Sequence, residues 1–247
     1  MLALQCGAGV ATIDWRDAML TEPKKPEVDH RTLKLLVGII ALSLGTLTNL
    51  FANEPLKSIS ASYHEGGWSQ SFFVGFLFAI AAFLLSYNGK SRREMILSKV
   101  AAVAAFGVAM FPCKCEDRTE IIEHVHAVSA SVMFLILAYF CYLFFQRAKA
   151  KGHTEAVRRE VVYAACGVTI LISMVVLALD SILGHPISDE IDRLTFFCET
   201  AALVAFGVSW LTASRTLPVL TNSKERFSPL NGDGTPDDAV VVKTNAA

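Results

Sequence analysis

The chain has 247 residues and a formal net charge of −1, with 53% hydrophobic residues and only 18% charged ones. A soluble domain of this length carries about 25% charge, so the composition argues against a water-exposed globule, and the near-neutral balance offers no basic field for nucleic acid. Six cysteines in a chain this long do not form a disulfide framework, and four of them lie in or beside apolar runs.

MLALQCGAGVATIDWRDAML lacks a basic region followed by an apolar core and a small-residue cleavage site, so no cleaved signal peptide is expected. Residues 1–32 read as an N-terminal lead-in, rich in Pro and charge at TEPKKPEVDH. Six apolar runs follow, over about 33–52, 71–87, 96–111, 121–145, 161–183 and 194–211. A membrane-crossing helix needs about 20 residues at a rise of about 1.5 Å. The expected fold class is therefore all-α, a six-span bundle over residues 33–213. Residues 214–247 contain SPLNGDGTPDD, too rich in Pro, Gly and Asp to pack, and read as a disordered tail.

Charge orients the spans. Seventeen Lys and Arg lie in the lead-in, the turn after span two, the loop after span four and the tail, whereas the three opposite turns hold only Lys57, Lys114, Arg118 and Arg193. That asymmetry places both termini in the cytoplasm. The loop around His64, the CKC turn and the acidic turn GHPISDEIDR then face outward. Spans three and six, AAVAAFGVA and ETAALVAFG, carry the small residues that let helices approach closely.

The titratable residues gather on the outer side. His124 opens span four with Ser131 on its face, Asp180 lies about a turn below the end of span five, and Glu199 is the deepest acid of span six. Roofed by the loop bearing Ser60, Tyr63 and His64, these ends form a candidate outward-facing pocket. Ionisable groups beside a span are costly unless they pair, line a cavity or bind something. Imidazoles with a carboxylate suit zinc, which would activate water, so His64, His124 and Asp180 are the candidate metal ligands. Ser60 and Glu199 are the candidate catalytic pair. The alternative is that the histidines sit at headgroup level, hydrogen-bonded to nearby carboxylates. Cys113 and Cys115 make C-x-C, in which a mutual disulfide is strained and free thiols or a weak metal contact are the alternatives. Cys141, Cys166 and Cys198 read as packing residues, and Tyr63, Trp68 and Trp210 as interfacial anchors.

SISASYHEGGWSQSFFVGFLFAIAAFLLSYNG, followed by AAFGVAMFP, HVHAVSASVMFLILAYF and ETAALVAFGVSWL, resembles a bacterial family of uncharacterised six-span integral membrane proteins. The resemblance covers about residues 33–213 and implies a multi-pass protein of the bacterial inner membrane. The layout is also similar to the damage-regulated autophagy modulators and GPI-anchor-remodelling proteins. Their Ile-Ser loop, His-led span four and acidic span six would fall on Ile59–Ser60, His124 and Glu199. More distantly it resembles the CREST superfamily of zinc-dependent membrane hydrolases, although the last span lacks that group's HxxxH. Three functions stand on these residues. The first is an outward-opening lipid hydrolase or lipid-modifying enzyme, with zinc as its candidate cofactor. The second is a non-enzymatic protein that binds membrane lipids or a partner. The third is a proton-coupled carrier titrating at Glu199.

Overall fold

A computed structural model of the chain describes residues 30–114, 122, 124–222 and 225–226. These residues form eight α-helices, one 3-10 turn and no strand. In chain order the helices are α1 (His30–Leu50), α2 (Ser62–Glu65), α3 (Gly67–Ser86), α4 (Arg92–Met110), α5 (Val125–Lys149), α6 (Thr154–Ile182), α7 (Pro186–Glu190) and α8 (Leu194–Ala213), and the 3-10 turn is Pro218–Leu220. Each apolar run of the sequence lies on one long helix. The ends differ because capping, not hydropathy, sets them. Ser91 starts α4 within the basic turn as its N-cap, its Oγ accepting from Glu94 N–H at 3.3 Å while it donates to Glu94 Oε1 at 3.2 Å. His153 caps α6, its Nδ1 accepting from Ala156 N–H, so that helix begins at Thr154 rather than near Val161.

The six long helices close a ring: α1 packs on α3 and α8, α3 on α4, α4 on α5, α5 on α6, and α6 on α8. Five of them are long and apolar enough to cross a membrane. The sixth, α4, carries Arg92, Arg93, Glu94 and Lys99 in its first half. Lys99 does not face lipid as a bare charge. Its ammonium donates to the Leu85 and Tyr87 carbonyls and to Asn88 Oδ1, capping the C-terminal end of α3.

Large apolar side chains point away from the ring, among them Ile39, Val103, Val128, Leu135, Ile172 and Val175. Inside, α4 presents small residues, with Ala101, Ala102 and Ala105 buried, while large side chains such as Phe140 and Phe206 are buried on other helices of the ring. Lipid tails are as apolar as leucine, so close packing and internal hydrogen bonds hold such a bundle together. Ser69 Oγ donates to the Thr48 carbonyl at 2.8 Å between α3 and α1, and Cys141 Sγ donates to Ser209 Oγ at 3.3 Å between α5 and α8. Cys141, Cys166 and Cys198 are free thiols.

Two expectations need correction. Trp210 is not an interfacial anchor. It is fully buried, ringed by Tyr87, Phe140, Phe144 and Phe206 at centroid distances of 5.3–6.1 Å. Trp68, by contrast, is 69% exposed, as an anchor would be. The chain just after α8 is also packed rather than loose. Ser214 and Thr221 are buried, and Arg158 and Arg159 on α6 donate to the Val219 and Leu220 carbonyls at 3.3 and 2.6 Å. Residues 1–29, Cys115, Arg118 and residues 227–247, on which other expectations rest, lie outside the described residues.

The backbones of α1 and α8 approach closely at a pair of glycines. A Cβ on Gly207 would meet the Gly38 carbonyl at 2.9 Å, and one on Gly38 would meet the Gly207 carbonyl at 3.0 Å. Gly207→Val is therefore expected to destabilise the bundle by about 1–3 kcal/mol through overpacking. Gly75→Val, which meets nothing within 4 Å, serves as the control for helix propensity. Thermal unfolding of the two variants in detergent measures the difference.

Candidate functional site

Polar side chains collect at the two ends of the ring. At the first end, the segment after α1 is laid along the start of α8 by a series of long-range hydrogen bonds. Arg193 Nε donates to the Leu56 carbonyl at 2.7 Å, and its Nη2 donates to Asn49 Oδ1 at 2.5 Å. Asn49 Oδ1 also accepts from Leu56 N–H at 3.1 Å. One turn on, Phe196 N–H donates to the Lys57 carbonyl at 2.9 Å. Glu199 completes the series: its carboxylate accepts from Ile59 N–H at 2.5 Å and from Ser60 Oγ at 2.9 Å. Ser60 Oγ in turn lies 2.9 Å from Ser58 Oγ.

From Ser58 the backbone winds through successive tight turns into α2. The Glu199 carboxylate sits where their first N–H groups would otherwise lack acceptors, the arrangement that favours an anion at the start of a helix. Glu65 closes the same loop, its Oε2 accepting from both the backbone N–H and the side-chain amide of Asn53 at 3.2 and 3.1 Å. Glu199 and Ser60, the candidate catalytic pair, are thus in direct contact.

The other three candidates do not join them. His64 Nε2 donates to the Cys113 carbonyl at 2.9 Å, tying α2 to the turn after α4. Cys113 is disulfide-bonded, which removes the free-thiol alternative for this residue. Asp180 is buried and caps α7: its Oδ1 accepts from Ile187 and Ser188 N–H at 2.9 and 3.0 Å, and its Oδ2 from His185 Nδ1 at 3.2 Å. His124 is exposed and left-handed, with φ 63°, immediately before α5 begins. Among the described residues no group of three or more His, Cys, Asp or Glu is gathered so as to hold a metal ion. His64, His124 and Asp180 therefore do not fit a shared zinc shell, and no metal step is derived from them.

The histidine that does turn inward is His126, 7% exposed, with Nδ1 donating to the Phe111 carbonyl at 2.7 Å. It lines a cavity of about 30 Å³ together with Ser60, Glu199 and apolar side chains such as Leu44, Phe73 and Met133. A water needs about 10–15 Å³ measured this way, so the space admits a water or two and no lipid headgroup.

The opposite end of the ring carries a larger cavity, of about 60 Å³, that no motif in the sequence announces. Its walls hold six cationic side chains: Lys34 of α1, Lys90 between α3 and α4, Arg147 of α5, Lys151 between α5 and α6, Arg159 of α6, and Arg215 beyond α8. Phe144 and Tyr163 form its apolar side, and Lys34 Nζ stands 5.9 Å from the Phe144 ring centroid. Among the described residues two carboxylates answer these charges. Glu94 pairs with Arg147. Glu225 accepts from Lys151 Nζ at 2.9 Å, from Arg215, and from Arg159 Nη2 at 3.4 Å. Burial works against the Glu225 charge, yet the hydrogen bond from Lys151 and the nearby charges of Arg215, Lys151 and Arg159 hold its carboxyl below the usual range.

The class these features define is an all-helical integral membrane protein with polar clusters at both ends. No protein-family model, curated protein or solved structure matches the chain.

Removing the Glu199 acceptor leaves Ile59 N–H unsatisfied, at about 1–3 kcal/mol for a buried donor, while the Ser60 hydroxyl can turn to Ser58 Oγ. Glu199→Ala is therefore expected to lower the melting temperature in detergent markedly and to open residues 51–66 to protease. Asp180→Asn keeps an oxygen for the two α7 amides and is expected to melt much closer to wild type. Equal melting temperatures for Glu199→Ala and wild type would show that the carboxylate does not hold the loop.

Proposed function

We propose that the chain is a six-span protein of the bacterial inner membrane, with both termini cytoplasmic, that binds membrane lipid without turning it over. The observation that carries this reading is the convergence of six cationic side chains on one cavity at a single end of the ring. Five of them belong to the segments that the Lys and Arg bias assigns to the cytoplasm, and Lys34 lies at the same end of the first span. Anionic lipid headgroups on that side attract such a cluster, and each Lys or Arg near the surface contributes about 1 kcal/mol. The cavity at the other end, bordered by Glu199 and Ser60, supports the same reading because at about 30 Å³ it is half the size and, among the described residues, carries no cationic side chain in its lining. The likeness to the uncharacterised six-span family belongs to this proposal, and α4 is its sixth crossing.

One contact favours a second reading. Ser60 Oγ donates to Glu199 Oε1 at 2.9 Å, within reach for a nucleophile and its base, as a lipid hydrolase would require.

The two readings separate in one experiment. Protein purified in mild detergent is analysed for bound lipid, then incubated with a panel of phospho- and glycolipids. Binding predicts intact co-purified lipid and no product from wild type. Hydrolysis predicts product from wild type that Ser60→Ala abolishes at unchanged melting temperature. The topology is checked by thiol labelling in intact cells. Glu54→Cys is expected to react with an impermeant reagent, and Lys151→Cys is not.

A further inference from the structure

The end-facing basic cavity is a built site, not a loose patch of surface charge. Arg159 is its fixed centre: 1% exposed, with Nη1 donating to the Leu220 carbonyl at 2.6 Å. A guanidinium buried to this degree is strongly destabilising unless it is paired. Its ionic partner is Glu225, which also takes Lys151 and Arg215, with His153 Nε2 at 3.8 Å from the same carboxylate. Three permanent cations thus converge on one carboxylate of charge −1. The local charge is over-compensated, and the two oxygens of Glu225 serve three donor groups.

A phosphate monoester matches this arrangement better than a carboxylate does. It carries about −1.5 to −2 charge and three strong acceptor oxygens. Arginine forks recognise phosphate bidentately, and lysine serves it as a point charge. The cavity beside Glu225, at about 60 Å³, holds about four water-sized positions, which suits a tetrahedral group. Among the described residues, Glu225, 28% exposed, is held through side chains and its own local turn, with its N–H donating to the Asn222 carbonyl at 2.9 Å. It can therefore leave without disturbing the ring.

We propose that Glu225 is a built-in occupant of a phosphate site formed by Lys151, Arg159 and Arg215, and that the phosphomonoester headgroup of a membrane lipid displaces it and frees the chain around Glu225. The proposal rests on the lipid-binding reading above and names the chemistry of the ligand. Lipid binding and tail release become one exchange, because both anions need the same three cations.

The test uses the full chain in phosphatidylcholine nanodiscs, with phosphatidic acid as the monoester, phosphatidylglycerol as the singly charged control, and inorganic phosphate as the soluble source. Bound lipid is counted by native mass spectrometry, and tail release is followed by trypsin cleavage after Arg226, next to Glu225. Phosphatidic acid is expected to accelerate cleavage of the wild-type chain, and phosphatidylglycerol is not. Glu225→Gln is expected to be cleaved quickly without added lipid and to bind phosphatidic acid about tenfold more tightly, equivalent to about 1.4 kcal/mol. Lys151→Gln, which leaves the buried Arg159 in place, is expected to weaken that binding. Release by inorganic phosphate with phosphatidic acid inert supports the exchange and assigns it to a soluble phosphate. Equal phosphatidic acid affinity in wild type and Glu225→Gln overturns the proposal, as does cleavage that ignores every phosphate source. If another lipid still co-purifies intact, only the exchange fails. If the lipid panel yields product, the binding reading fails as well.

Discussion

Within a bilayer every polar group must find its partner inside the protein, and the contact between Glu199 and the Ile59–Ser60 segment is where that constraint bears hardest. The carboxylate lies on α8 inside a helix otherwise rich in Ala, Phe and Leu. It is tolerable there because a main-chain N–H and a hydroxyl from a distant part of the chain are aimed at it. The requirement works in both directions. The first N–H groups of the turns leading into α2 need an acceptor, and the chain offers them an acid on α8. Phe196 and Arg193 extend the same seam to Lys57, Leu56 and Asn49. The position of α2, and with it the His64 contact to the turn after α4, follows from this seam.

Hydropathy and charge bias made the helices legible in the sequence, since both are averages over many residues. Ser60 and Glu199 stand out in the sequence as neighbours of one pocket, in the loop and in the last span, and they do meet, although the hydrogen bond between them was not foreseen. His124 was misplaced for a local reason. Extending the α5 face back to it assumes helical backbone, but the residue is left-handed. The helix therefore starts one residue later, and His126 faces inward. Asp180 was placed at the right depth, but its role depends on a turn. The left-handed Gly184 and His185 fold Ile187 and Ser188 back onto its oxygens, and no spacing rule announces that. Trp210 follows the same logic at larger scale. Tryptophan is common at membrane interfaces, yet here aromatic residues from the end of α3, from α5 and from α8 itself enclose it.

The basic cavity was legible only as a side and not as a place. Counting Lys and Arg shows that Arg147, Lys151, Arg159 and Arg215 belong to one end of the bundle, but treats each as a separately solvated charge. Their convergence follows from ring closure. α8 returns beside α6 and α1, so Arg215 arrives next to Arg159, and the segment beyond it carries Glu225 back to Lys151. A carboxylate in a chain segment with the composition of a loose tail gave no sign that it would dock.

The two ends of the ring therefore differ in the kind of bond that neutralises their charges. At the Glu199 end an acid is answered partly by main chain, and breaking that bond unseats a loop and leaves a buried donor unsatisfied. At the Arg159 end an acid is answered by long, flexible side chains whose charged heads reorient at little cost to the backbone. The first arrangement resists exchange, since any competitor must also replace the fold around it. The second admits exchange, since the cations stay in place while the anion changes. The ring thus holds the Glu199 carboxylate partly through backbone and the Glu225 carboxylate through side chains.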